Sequence, residues 1–255
     1  MTLLKKKAYN ATKKFVDEYS GIVMGIVDEL YYSHGVRPSS RTILYRLKGM
    51  GLATKKDVKK VEALVAYLKL KGDIGVHMMI DAKRTMYGTA TFNSKEEALS
   101  DLSKSFKLDL WLNQPTKVLI MCEAVGYTDV IGRVANEYRC DYIGSGGDIS
   151  VHWKIELAQS DYTHIIYVGD MDEKGVAIPN ILIRDVNELQ EANGLPLTTM
   201  VRIEHDVVEH DVELENVDVE HVRNLIRTKV VNLIDSHLWD DSLATEATDK
   251  ATLTM

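Results

Sequence analysis

The sequence predicts an α/β protein, helical in its first part and built on a parallel sheet flanked by helices in its second. Three observations predict it. Apolar residues recur at helical spacing over residues 10–70, short strand-like runs alternate with helix-period segments over 117–203, and the charge divides between these regions. Residues 1–84 carry 17 Lys and Arg against 8 Asp and Glu, whereas the remainder carry 14 against 30.

The first helix is predicted over 10–33, where Phe15, Tyr19, Ile22, Val23, Ile26, Val27 and Leu30 share a face and His34-Gly35 closes the segment. Pro38-Ser39-Ser40 offers capping oxygens to a second helix over 41–50, and Gly51 ends it. A third covers 57–70, stopped by Lys71-Gly72. Strand-like runs follow at 76–80 and 87–92. Three short helices and a two-stranded ribbon outline a winged helix, in which the helix over 41–50 would face a DNA groove. A plain three-helix domain fits the same pattern.

Residues 93–107 read as a linking helix and 108–115 as a connector. Strands are then expected at 117–122, 140–143, 163–168 and 198–203, with helices at 128–138, 149–158 and 176–189. A final amphipathic helix is expected over 219–238. The division that follows is a domain over 1–106, a second over 107–240, and a flexible tail over 241–255.

Composition narrows the function classes. A chain of 255 residues, 45 % hydrophobic, supports a core without disulfide staples. No apolar stretch reaches the roughly 18–20 residues of a bilayer span, and Met1 to Lys7 precede no apolar signal core. Cys122 and Cys140 lie in apolar runs and read as small buried residues. These features lead us to expect a cytoplasmic protein with no membrane partner. The net charge of −7 argues against a polyanion partner, but the basic first part suggests a nucleic-acid face there.

Functional groups of a parallel sheet gather at the carboxyl ends of its strands. The first strand ends at Glu123, the second at Gly144-Ser145-Gly146-Gly147-Asp148, and the third at Gly169-Asp170-Met171-Asp172-Glu173-Lys174-Gly175. Asp-x-Asp alone is common in turns. With Glu123 it gives three like charges near one point, an arrangement suited to a hard cation such as Mg²⁺.

A strand ending in Glu, followed by one ending in Asp-x-Asp-x-x-Gly, resembles the Toprim fold of topoisomerases, primases and some nucleases. The run Leu110-Trp111-Leu112-Asn113-Gln114-Pro115, the turn Gly144–Gly147, and the segment Arg41-Thr42-Ile43-Leu44-Tyr45 are similar to the A subunit of type IIB DNA topoisomerases and its small mobile-element relatives. That resemblance implies an N-terminal winged helix followed by a Toprim domain. It implies Tyr45 as the nucleophile on a DNA phosphodiester, with Arg41 or Arg46 favouring the phenolate. It further implies Glu123, Asp170 and Asp172 as ligands of Mg²⁺ (Mn²⁺ also suits them), with Glu123 able to act as acid or base. A homodimer on double-stranded DNA is implied, since the tyrosine of one protomer acts with the metal site of the other. No ATP site is expected, so a separate ATPase subunit is a candidate partner. Location at the nucleoid, or in a host cytoplasm for a mobile-element protein, accompanies that reading.

Each residue also has a plain reading: Tyr45 as a packed aromatic, the aspartates as turn caps, the glycines as a tight turn. Two alternatives therefore stand beside the transesterase: a Toprim nuclease using metal-activated water, and a DNA-binding or regulatory protein without turnover. The chain departs from the family pattern at Ala124, where relatives commonly carry Lys, at Leu44, and at Glu173-Lys174. Residues 204–220 are strongly acidic and carry His205 and His210, whose spacing matches neither a helix face nor a strand face. A solvated surface is the expectation there, with DNA mimicry as the functional alternative.

Overall fold

The computed structural model describes residues 13–80, 91–147, 149–203 and 214–253. Helix α1 (Lys13–Asp28) buries Phe15, Val23, Ile26 and Val27, and continues as a wider turn over Glu29–Ser33. Helix α2 (Ser40–Gly49) starts at Ser39, whose hydroxyl accepts the Thr42 amide while the Thr42 side chain accepts the Ser39 amide. Helix α3 (Val58–Lys71) ends at Gly72, whose φ of 90° is one that L side chains rarely adopt. The run over 76–80, expected as a strand, is a 3₁₀ turn over Val76–Met78 followed by buried Met79. Two adjacent buried methionines do not fit the alternation of a half-buried strand. The other expected ribbon strand, 87–92, lies outside the described residues up to 90, and Thr91 and Phe92 are in no strand.

Helix α4 (Lys95–Ser105) leads to the connector. Then β1 (Val118–Cys122), α5 (Thr128–Glu137), β2 (Asp141–Gly144), α6 (Val151–Gln159), β3 (His164–Val168), α7 (Glu173–Ala192) and β4 (Thr199–Arg202) follow in the expected alternation. The strands form one parallel sheet in the order β2-β1-β3-β4. Alternate residues of the central strands face opposite layers. Val118, Ile120, Cys122, Ile166 and Val168 join a core shared with α1 to α3 and α5, whereas Leu119, Met121, Ile165 and Tyr167 pack under α6 and α7. The helical first part and the sheet therefore share one continuous core.

Two expectations fail at the end of the chain. The helix over 219–238 is two: α8 (Val219–Val231) and α9 (Ser236–Leu253). The connector holds the break open, because Gln114 pairs with both backbone groups of Asp235 and the Thr116 hydroxyl donates to the Leu233 carbonyl at 2.7 Å. The expected flexible tail over 241–255 is helical as far as Leu253. Trp239 packs edge-on to Trp111 at 5.5 Å, and the buried Glu246 carboxylate binds Arg139, Lys250 and the Leu108 amide. Those contacts supply the stability that the local sequence lacks.

Candidate active site at the carboxyl edge of the sheet

The chain leaves β1 for β2 on one side and later returns to β3 on the other. The gap between β1 and β3 is thus the switch point of the sheet, where open parallel sheets form their crevice. Glu123 follows β1 there, and the Gly169–Gly175 turn follows β3. The Glu123 amide donates to the Val168 carbonyl at 2.9 Å, which extends the pairing by one residue and fixes the direction of the side chain.

The Glu123 carboxylate accepts weak bonds from the Asp170 amide at 3.3 Å and from the Tyr167 hydroxyl at 3.4 Å. Half-burial raises its pKa, and the charges of Asp170 and Asp172 push the same way; the Asp170 amide and Lys174 oppose them. Burial and then the Glu123 charge raise the Tyr167 phenol as well, so Tyr167 acts as a donor in this arrangement. Two glycines make the approach possible. A Cβ on Gly169 would lie 3.0 Å from Glu123 Oε2 and 2.6 Å from the Tyr167 ring. One on Gly175 would lie 2.1 Å from the Asp170 carbonyl oxygen, a contact no side chain survives.

The two aspartates also hold the loop. Asp172 caps α7 by accepting the Gly175 amide at 2.6 Å, and Asp170 accepts the Leu214 amide at 2.8 Å. That second bond ties the described end of the acidic region to this edge. There Leu214, Val217 and Val219 are buried and Glu220 binds the fully buried Arg223, so apolar residues anchor this end while the acidic side chains of Asp218 and Glu220 stay at the solvated surface. Residues 204–213, with His205 and His210, lie outside the described residues. So does Asp148. Arg202 at the end of β4 donates to the Asp170 carbonyl and the Met171 sulfur, a role no sequence motif signalled. In the glycine turn, the Ser145 and Gly146 amides donate to the carbonyls of Cys122 and Glu123. These amides stitch the turn to β1 and are not turned to a phosphate.

Glu123 thus meets the Asp170 turn through its backbone, each of the three carboxylates binds a backbone amide, and among the described residues no three His, Cys, Asp or Glu side chains form a metal-holding group. All three are hard oxygen donors. Mg²⁺ ordinarily takes one or two carboxylates and completes its shell with water and phosphate oxygens, so this donor set fits it chemically.

Tyr45 lies elsewhere, in the helical first part. It is buried in α2, and its hydroxyl accepts from Arg41 Nε at 3.0 Å and Nη2 at 2.8 Å, with Lys55 near the ring. Thr42, one turn earlier, abuts Gly126 in the loop after Glu123. The structure therefore brings α2 to the edge of the site, but Tyr45 is bonded to Arg41 and not to the carboxylates. Thr42, Ile43, Leu44 and Leu47 are also buried, so α2 exposes Arg41 and Gly49 fully and Ser40, Arg46 and Lys48 in part. A cavity of about 510 Å³ opens at the opposite end of the sheet, lined by Lys117, Arg139 and Asp141 among others, and includes none of these residues. Both cysteines are buried, and burial pushes the Cys140 thiol up to about 12. Among the described residues no helix is long and apolar enough to cross a membrane. Neither a family model, nor a curated protein, nor a solved structure matches the chain.

Proposed function

We propose that the protein is a Mg²⁺-dependent DNA-cleaving transesterase of the type IIB topoisomerase A-subunit kind, with a winged-helix first part and a Toprim second part. The observation that carries the reading is Glu123, held at the switch point against the Asp170–Asp172 turn. A carboxylate kept half-buried beside two others is destabilised by its neighbours, and such sites are where catalytic groups concentrate. A divalent ion bound there would neutralise charge on a phosphodiester.

The chain's own residues have defined parts in that chemistry. Tyr45 is the nucleophile: its oxygen gives its proton to water and forms the phosphotyrosine bond as the bond from phosphorus to the 3′-oxygen breaks. Arg41, bonded to that oxygen through two nitrogens, orients the phenol and stabilises negative charge on it. Glu123 gives a proton to the leaving 3′-oxygen and takes it back from the 3′-hydroxyl on resealing, a task that suits a carboxyl with a raised pKa. Double-stranded DNA, a homodimer and a separate ATPase subunit are the partners this reading calls for.

The burial of Tyr45 favours a second reading, a Toprim nuclease in which water attacks and Tyr45 only packs. One experiment separates the two. Supercoiled plasmid is incubated with protein and Mg²⁺, then denatured with detergent, and protein-linked DNA is measured. Linkage that disappears in Tyr45→Phe supports the transesterase. Cleavage that persists in Tyr45→Phe and disappears in Asp170→Ala supports the nuclease, and intact DNA under all conditions defeats both.

A further inference from the structure

Lys174 sits in the first turn of α7, two residues past Asp172. Its ammonium lies 3.7 Å from the point where a Cβ on Gly147 would stand. Gly147 belongs to the turn after β2, whereas Lys174 springs from the loop after β3, and β1 runs between those strands. The Ser145 and Gly146 amides stitch that turn back onto the end of β1, so the side chain reaches from the start of α7 to the turn beside the point where Glu123 begins. Its charge acts on Glu123 from that position.

The ammonium is not spent on the protein. Among the described residues Lys174 has neither a hydrogen bond nor an ion pair, whereas Lys60, Lys117, Lys154 and Lys250 each bind a carboxylate within 2.9 Å. Nearby Asp170 and Asp172 accept backbone amides, and Arg202 is committed to the Asp170 carbonyl and the Met171 sulfur. An exposed cation therefore stands at an edge where the carboxylates are bonded to amides and Arg202 is already committed. A polyanion arriving there needs positive charge beyond what a divalent ion supplies.

We propose that Lys174 is a phosphate-binding residue of this edge, its ammonium contacting a non-bridging oxygen of a DNA phosphodiester laid across the end of β1. The inference rests on the reading of the edge as a DNA site.

The test is fluorescence anisotropy of a short labelled duplex with the full chain and Mg²⁺ over a salt series. Lys174→Gln should weaken binding about tenfold, the worth of one charged contact. It should also lower the slope of log affinity against log salt by about 0.9, the signature of one lost phosphate contact. Lys174→Arg should restore both, and Lys104→Gln on α4, the same charge change on another face, should alter neither. Wild-type affinity and slope in Lys174→Gln overturn the inference, as does failure of Lys174→Arg to restore them. If wild-type protein binds DNA and Lys174→Gln matches it, only this inference falls. If wild-type protein binds no DNA, the proposed function falls with it.

Discussion

Two glutamates, one at each end of the sheet, are both withdrawn from water and titrate in opposite directions. Glu246, near the amino ends of β1 and β2, meets Arg139, Lys250 and the Leu108 amide, which hold its carboxyl down to about 2. Glu123, at the carboxyl ends, is raised by half-burial, with the charges of Asp170 and Asp172 pushing the same way. Burial penalises the charge of both, so the sign of the neighbours decides the outcome. The compensated glutamate is a clasp that fastens α9 to the connector. The uncompensated one is the candidate for chemistry, because its free energy improves when a cation or a proton arrives.

The largest effect should come from crowding the uncompensated side. Gly175→Ala drives a methyl into the Asp170 carbonyl, and overpacking of that kind costs about 3 kcal/mol. A large drop in melting temperature and loss of Mg²⁺-dependent cleavage are expected. An unchanged melting temperature would mean the turn relaxes freely and does not hold Glu123 in place.

Removing the compensated charge should come next. Glu246→Gln leaves Arg139 with a neutral partner and should cost about 2 kcal/mol near neutral pH, the worth of hydrogen bonds to a charged group. Because the folded-state value is depressed, that contribution is complete above the ordinary value of 4.5 and disappears as the pH falls toward about 2. Melting curves of wild type and variant should therefore converge in that window. A gap that stays constant with pH would show that the clasp works by shape rather than charge.

The same contrast explains what was legible in the sequence. Central strands such as 118–122 and 164–168 declare themselves by local apolar runs, and helices α1 to α3 by spacing and caps. Glu123 and Asp170 were legible as a pair because the rule for strand ends needs only strand positions. Helix α9 was not. Its apolar residues mark out no clear face, and it is fastened by Trp239 and Glu246 to partners more than a hundred residues away. The run over 76–80 has strand composition, but burial of neighbouring Met78 and Met79 overrides it. The burial of Tyr45 agrees with its plain reading as a packed aromatic, whereas the elements that bury it, α1, α3 and the Leu214–Asn216 turn against α2, were not legible.

Glu123→Gln should show a pH signature opposite to that of Glu246→Gln. A raised folded-state value means the ionised carboxylate costs stability, a cost absent below the ordinary 4.5 and growing as the pH rises through the folded value. In chelator the variant should therefore match wild type in acid and melt slightly higher near neutral pH. Glutamine still accepts the Asp170 amide, and water screens the half-exposed carboxylate, so the gain should stay under about 1 kcal/mol. A variant that melts lower near neutral pH would place Glu123 in the same class as Glu246.

The smallest effect on stability should be that of Asp172→Asn, and it is the most discriminating. Asn caps helices about as well as Asp, so the bond from the Gly175 amide survives. The loss of a charge at the start of α7 costs a few tenths of a kcal/mol, and relief of Glu123 returns a similar amount. The melting temperature in chelator should shift by less than about 0.5 kcal/mol would produce, whereas Asp172→Ala, which removes the cap, should cost about 1 kcal/mol. If Asp172 serves only as a cap, Asn should also preserve DNA cleavage. If its charge serves the site, Asn should abolish Mg²⁺-dependent cleavage while the fold is untouched, separating on one side chain the two roles that Glu246 and Glu123 hold apart.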